Sequence, residues 1–350
     1  MNRLRVIVLT VSAVVCLAAG CSPYVASVIQ GELELLAQTV PIESALEDPA
    51  LSDEQKARLA FVIAARDYAG KVVGLNVARN YQTFVNLGNE PLAWNLSASR
   101  KDAFEPYYWT LPIAGRIPYL GFFELDQALA ERDRLVGLGY DTMIYELDAY
   151  STLGVLPDPV TSSLLRRNLT SLADTVFHEL THSTIISGST NFDESVATFV
   201  GRTAAIEFLG VTFGPASAEV SAATVGYADQ DRHQAFLRAL IDELQAVYAS
   251  ELSYEEKLAR RQEVIQAAQQ RYAAEVLPLL EQPDLYRGFT TFSYNNAYLL
   301  AHVRYNQGQD LFARVHEQTG RAWPETLRLF ARAARAPAPF EELRGLLEQP

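Results

Sequence analysis

Leu172, Val176 and Leu180 recur at four-residue spacing, which lines them up on one face of a helix. The four residues Ser171 to Asp174 fit the [ST]-x-x-[DE] capping pattern, so the spacing predicts a helix starting there. After the turn-forming Ser187, Gly188, Ser189 and Thr190, a second helix is expected over about 193–209, with Ala197, Thr198, Gly201 and Ala205 on one side. Small residues there let the two helices approach closely. Residues 22–100 read mostly as helix, most clearly over 24–37 and 52–74, where Ser52 marks a start and Leu59, Val62, Ile63 and Tyr68 an apolar face. The pattern changes over 101–160. Residues 113–123, broken by Gly115, Pro118 and Gly121, read as a strand or ordered loop, 125–138 as an amphipathic helix closed by Gly139, and 141–147 as an alternating strand. Helices return over 216–250, 254–277, 293–305, 309–319 and 324–334, with the charged stretch 255–270 read as a solvated face. The chain is therefore expected to be α+β and mainly helical, with a small sheet just before a helix pair within 161–210, and with no repeat or low-complexity linker.

The first helix of that pair carries His178-Glu179-Leu180-Thr181-His182, an H-E-x-x-H run. In a helix, residues four apart lie about 40° apart in azimuth and about 6 Å apart along the axis, so both imidazoles can reach one metal ion. Glu179 then stands beside the ion and can take a proton from a water activated there, the geometry of zinc-dependent hydrolysis. Catalytic zinc usually has a third protein ligand. Glu194, in the first turn of the second helix, is the candidate; the alternative is that Asp193 and Glu194 only complement the helix dipole or cap the helix.

Composition narrows the function classes. The 350 residues are 49% hydrophobic and 20% charged, enough for one large core or two intimately packed lobes, and a net charge of −13 without a basic stripe argues against nucleic acid as a partner. Residues 1–20 read as a signal peptide: Arg3 and Arg5, then an apolar run from Val6 to Val15, then Leu17, Ala18, Ala19 and Gly20 before Cys21. This resembles a lipobox, with cleavage before Cys21, lipid on that residue, and membrane attachment through it. Ser22 rather than Asp after the cysteine resembles an outer-membrane lipoprotein facing the periplasm. Cys16 would leave with the signal, so the mature part, residues 21–350, has no thiol to serve as nucleophile or zinc ligand.

Other candidates are less sharply drawn. The strand-helix-strand unit before the active helix fits a zincin upper lobe, where an edge strand pairs with the substrate backbone. Glu146 and Asp148 alternate and would share a face of their strand; facing the cleft, either could bind a substrate α-amino group, and facing outward, neither would. The run from Phe292 to His302 gathers phenols, amides and an imidazole. Tyr298 is the favoured donor there to the oxyanion of a tetrahedral intermediate, with Tyr294 and His302 as alternatives and plain packing as the rival reading.

The F-H-E-L-T-H run at 177–182, the F-D-E-S-V-A-T-F-V-G run at 192–201 and Asp148 to Gly154 together resemble the bacterial "predicted aminopeptidase" lipoprotein family, a branch of the gluzincins. The similarity runs from about Cys21 to the C-terminal helices. It implies a zincin-like zinc peptidase acting on peptides, with His178, His182 and Glu194 as metal ligands and Glu179 as general base. Asp193 stands where the family pattern has Asn, and the Gly-x-Met-Glu-Asn exopeptidase signature is missing. An endopeptidase or cell-wall peptide processor, or a non-catalytic metal-binding envelope lipoprotein, are the competing functions.

Overall fold

A computed structural model describes residues 23–111, 115–153 and 155–348, so Cys21 and the signal segment lie outside the described residues. Helix α1 (Pro23–Leu36) leads through β1 (Val40–Pro41) and α2 (Ile42–Glu47) to α3 (Asp53–Tyr68). Ser52 starts α3 with a full capping box: its side chain accepts from the Gln55 N–H, and the Gln55 side chain accepts from the Ser52 N–H. Strands β2 (Thr83–Val85), β3 (Ala93–Ser99), β4 (Trp109–Leu111), β5 (Gly115–Ile117) and β6 (Tyr119–Phe122) follow, then α4 (Leu125–Gly137), β7 (Asp141–Leu147) and β8 (Val160–Thr161). The rest is helical: α5 (Leu169–His182), α6 (Thr190–Phe213), α7 (Ala218–Tyr248), α8 (Tyr254–Arg271), α9 (Asn296–Asn306), α10 (Gln309–Gln318), α11 (Trp323–Ala334) and α12 (Pro339–Leu347).

The sheet that matters for the site is antiparallel, in the order β6-β3-β7, with Asn95 opposite Tyr145 and Ser97 opposite Tyr119. Successive side chains of a strand point to opposite faces. Leu96, Ala98, Leu120 and Phe122 therefore share one face, packed with Ala128 and Leu135 of α4. Asn95, Ser97, Tyr119 and Tyr145 share the other, which meets α9: Asn295 donates to the Thr142 carbonyl at 2.9 Å, and the Asn296 N–H donates to Asp141 at 3.0 Å. The central strand β3 falls in the part expected to be helical. Its alternation is built from Asn, Ser and Ala rather than β-branched residues, which weakens the strand signal.

The main core joins Leu59, Val62 and Ala65 of α3 to Phe177 and Leu180 of α5, Val196 and Val200 of α6, and Phe312 and Phe330 beyond. Helix α6 is long and apolar enough to cross a membrane, yet 56% of its most apolar window is buried inside the protein, as befits a core helix. A second cluster centres on Leu237, Leu240 and Leu244 of α7 with Ile265, Tyr272 and Leu299.

Beside that cluster His233, bonded to the Tyr272 hydroxyl at 2.9 Å, lies 6.2 Å ring to ring from His302. Burial, and for His233 also the charge of His302, holds each down at about 4. Both are thus neutral in the fold, while the unfolded chain protonates them below about 6.5. Their stabilisation is complete above that value and is lost as pH falls through the window to about 4, on the order of 3 kcal/mol each over the whole window. Thermal melts at pH 7.5 and 5 should show this drop, and His233→Gln should reduce it; an unchanged drop in that variant would refute the assignment.

Candidate metal centre and active site

Helix α5 begins three residues earlier than its capping pattern suggests. Asn168 is the cap, accepting from the Ser171 N–H at 2.8 Å, which leaves Asp174 inside the helix. Leu172, Val176 and Leu180 are buried, and the opposite side turns His178 and His182 toward α6. Glu194 enters from the first turns of α6. The two Nε2 atoms stand 3.2 Å apart, and Oε2 of Glu194 lies 3.3 Å from that of His178 and 3.5 Å from that of His182. These donors form a buried group able to hold a metal ion.

Their spacing tests the fit. Donors about 2.0–2.1 Å from a tetrahedral zinc stand about 3.3–3.4 Å from one another, and the three separations here bracket that edge length. Two imidazole nitrogens and one carboxylate oxygen are also a suitable donor set for such an ion. Burial raises the Glu194 carboxyl, but the two hydrogen-bonded imidazoles outweigh it and hold the group well below the usual carboxylate range. Burial lowers His182, and Glu194 overrides that too, setting the imidazole at about 9. The carboxylate thus compensates positive charge at this point.

Around the three donors the structure places groups that the sequence alone does not single out. Tyr119 donates to the other Glu194 oxygen, Oε1, at 3.4 Å, leaving Oε2 to face the imidazoles. The ring of Tyr305 lies 6.1 Å from that of His178. Burial and the Glu194 charge push both phenols above their usual range, so both remain protonated donors. Asp174, one turn before His178, is half-buried and accepts from the Tyr227 hydroxyl at 3.0 Å. Its i, i+4 relation to His178 is visible in the sequence, but the capping pattern offers a competing explanation for it. Asp158 is 2% exposed; burial raises it to about 6 against the bonds from Thr152, and the Glu179 charge adds to the rise. Glu179 itself makes no hydrogen bond or ion pair with any described residue.

Three candidates move. Tyr298 does not join the donors. Its ring packs 4.7 Å from Tyr294 and 4.4 Å from His302, against the second cluster, because it lies on the α9 face turned to α7 and α8. Glu146 is exposed and, one residue after Tyr145, points to the opposite face of β7 from the one that meets the donors. Asp148 lies just past β7 and is engaged by Arg167 at 3.0 Å. Tyr298 and Glu146 thus face away from the donors, and Asp148 is held by a cation.

Gly201 sets the distance between α5 and α6. A Cβ there would fall 2.3 Å from Asp174 Oδ1, 3.0 Å from the Asp174 carbonyl and 3.3 Å from His178 Cβ. Gly201→Ala should therefore force the helices apart at the first imidazole, destabilising the protein by about 1–3 kcal/mol and weakening metal binding. Calorimetric melts and metal titration read both effects; unchanged values would show that the crossing tolerates the methyl group.

Fold and site define an α+β chain built around a buried His-His-Glu cluster at a helix crossing. The chain belongs to the family described as "Putative aminopeptidase", whose model matches residues 23–344, and that membership supports a peptidase, hence a hydrolase acting on peptides. No curated protein and no solved structure matches the chain.

Proposed function

We propose that this chain is a zinc-dependent aminopeptidase with a zincin-like, gluzincin-type core. His178, His182 and Glu194 would hold the ion, and Glu179 would be the general base. The observation that carries this reading is the near-equilateral triangle of three donors beside a carboxylate that has no partner among the described residues. When bound, zinc polarises the scissile carbonyl and lowers the pKa of water to about 7.

The chain's own groups supply the rest. Glu179 takes the proton of the attacking water and passes it to the leaving nitrogen, which needs a carboxylate not tied to a cation. Tyr305, held protonated beside His178, is the phenol best placed to stabilise the developing oxyanion, in place of Tyr298. Tyr119 fixes the rotation of the Glu194 carboxylate through Oε1. Asp174 stands one turn before His178 and accepts from the Tyr227 hydroxyl; burial raises its carboxyl, and the nearby His178 opposes that rise. Residues 1–22 support lipid attachment at Cys21 and a place on the outer membrane facing the periplasm.

The test compares peptides with free and N-acetylated amino termini, using protein of measured metal content. An aminopeptidase cleaves only the free form and needs the metal. Equal cleavage of both makes the protein an endopeptidase, and no cleavage of any peptide by the metal-loaded chain rejects the reading.

A further inference from the structure

On the sheet side of the donors sits a cation without an acceptor. Arg304 is 4% exposed, its guanidinium makes no ion pair or hydrogen bond with any described residue, and Nη1 is enclosed with no acceptor. Guanidinium stays charged at any working pH, and a buried charge left unpaired costs several kcal/mol. The position is nonetheless held firmly. Ser195, next to Glu194, donates through Oγ to the Arg304 carbonyl at 3.1 Å and accepts from the Gln307 N–H at 3.2 Å, which pins the last turn of α9 to α6. The guanidinium carbon lies 5.0 Å from the ring centre of Tyr119, whose hydroxyl reaches Glu194. Ser97, the cross-strand neighbour of Tyr119, is 2% exposed, and its Oγ is likewise buried without a partner among the described residues. Two unpaired donors thus flank one tyrosine that touches the metal-ligand carboxylate.

We propose that Arg304, with Ser97 beside it, receives a carboxylate of the substrate, so that the enzyme acts on short peptides presenting an acid close to the scissile bond. This rests on the peptidase reading of the donor cluster. Carboxylates are the anionic groups an ordinary peptide carries, and the guanidinium fork matches their two oxygens. The path through Tyr119 sets the reach. With about 2.8 Å from ring centre to phenolic oxygen, Arg304 lies at most about 11 Å from Glu194 Oε1, the span of about three extended residues. The acid is therefore the C-terminal carboxylate of a di- to tetrapeptide, or a Glu or Asp side chain within that span. Either satisfies a charge that meets the Tyr119 ring but no counter-ion among the described residues.

The experiment measures kcat/KM on matched short peptides ending in free acid or amide, and on amidated peptides with Glu or Gln near the cleaved bond. The wild-type chain should prefer an acid by about 10- to 100-fold. The free-acid pair and the Glu/Gln pair tell which carboxylate is read. In Arg304→Met the preference should fall to near one, with a melting temperature no lower than wild type, because removing an unpaired buried charge relieves the fold. Equal cleavage of all peptides by the wild type, or a preference that survives in Arg304→Met, overturns the proposal. Should the metal-loaded wild type cleave nothing, the same peptides are titrated calorimetrically into metal-loaded Glu179→Gln. Acid bound over amide, and lost when Arg304→Met is added, supports the carboxylate site while the peptidase reading fails; no discrimination in binding overturns the carboxylate site as well.

Discussion

Glu179→Gln is expected to bind the same metal as the wild type and to lose turnover by about 10²- to 10⁴-fold. The substitution keeps the shape of the side chain and removes only its ability to take a proton, a contribution worth about 10²–10⁴ in rate. The Glu179 charge reaches its neighbours only through space, adding to the rise of Asp158 and of His182. The carboxylate makes no hydrogen bond or ion pair with any described residue, and the three metal-ligand candidates are held by other contacts: Glu194 by Tyr119, and His178 and His182 by their places on α5. Metal content and melting temperature should therefore stay close to wild type while kcat falls. Activity within a few-fold of wild type would remove Glu179 from the mechanism.

His182→Ala should have the larger effect on the protein itself. It leaves the buried Glu194 with one imidazole in place of two, and breaking a buried charge pair costs about 3–5 kcal/mol. With two donors left, stoichiometric metal should be lost on dialysis, and with it activity. The two variants separate the roles. One keeps the ion and loses proton transfer, and the other loses the ion. A His182→Ala protein that still carried one equivalent of metal would place the binding site elsewhere.

The helix pair is legible in the sequence because its signals are local. The four-residue stripe of Leu172, Val176 and Leu180 fixes which side of α5 is buried, and that fixes where His178 and His182 point. The small Gly201 announces a close crossing, and a Cβ at that position would indeed collide with Asp174. What surrounds the donors is not legible, for a physical reason. Tyr119, Tyr305 and Arg304 arrive from a strand and a helix far away in the chain, and only sheet register and helix docking bring them together. Tyr298 draws attention through local composition, but the turn of α9 that reaches the donors is the last one, and Tyr298 lies on the first. Glu146 fails by parity: one residue along a strand reverses the face, and the tyrosine before it is the residue that faces inward. Asp174 escapes notice because one pattern fits two purposes, and the tertiary fold gives the cap to Asn168 instead.

The most direct test is the metal stoichiometry of the mature chain together with the X-ray absorption spectrum of the bound ion. One equivalent of zinc per chain, coordinated by two imidazole nitrogens and carboxylate or water oxygen at about 2.0–2.1 Å and lost in His182→Ala, is the predicted result. A chain that binds no divalent ion after equilibration with zinc, or one whose bound ion shows no imidazole ligands, would contradict it.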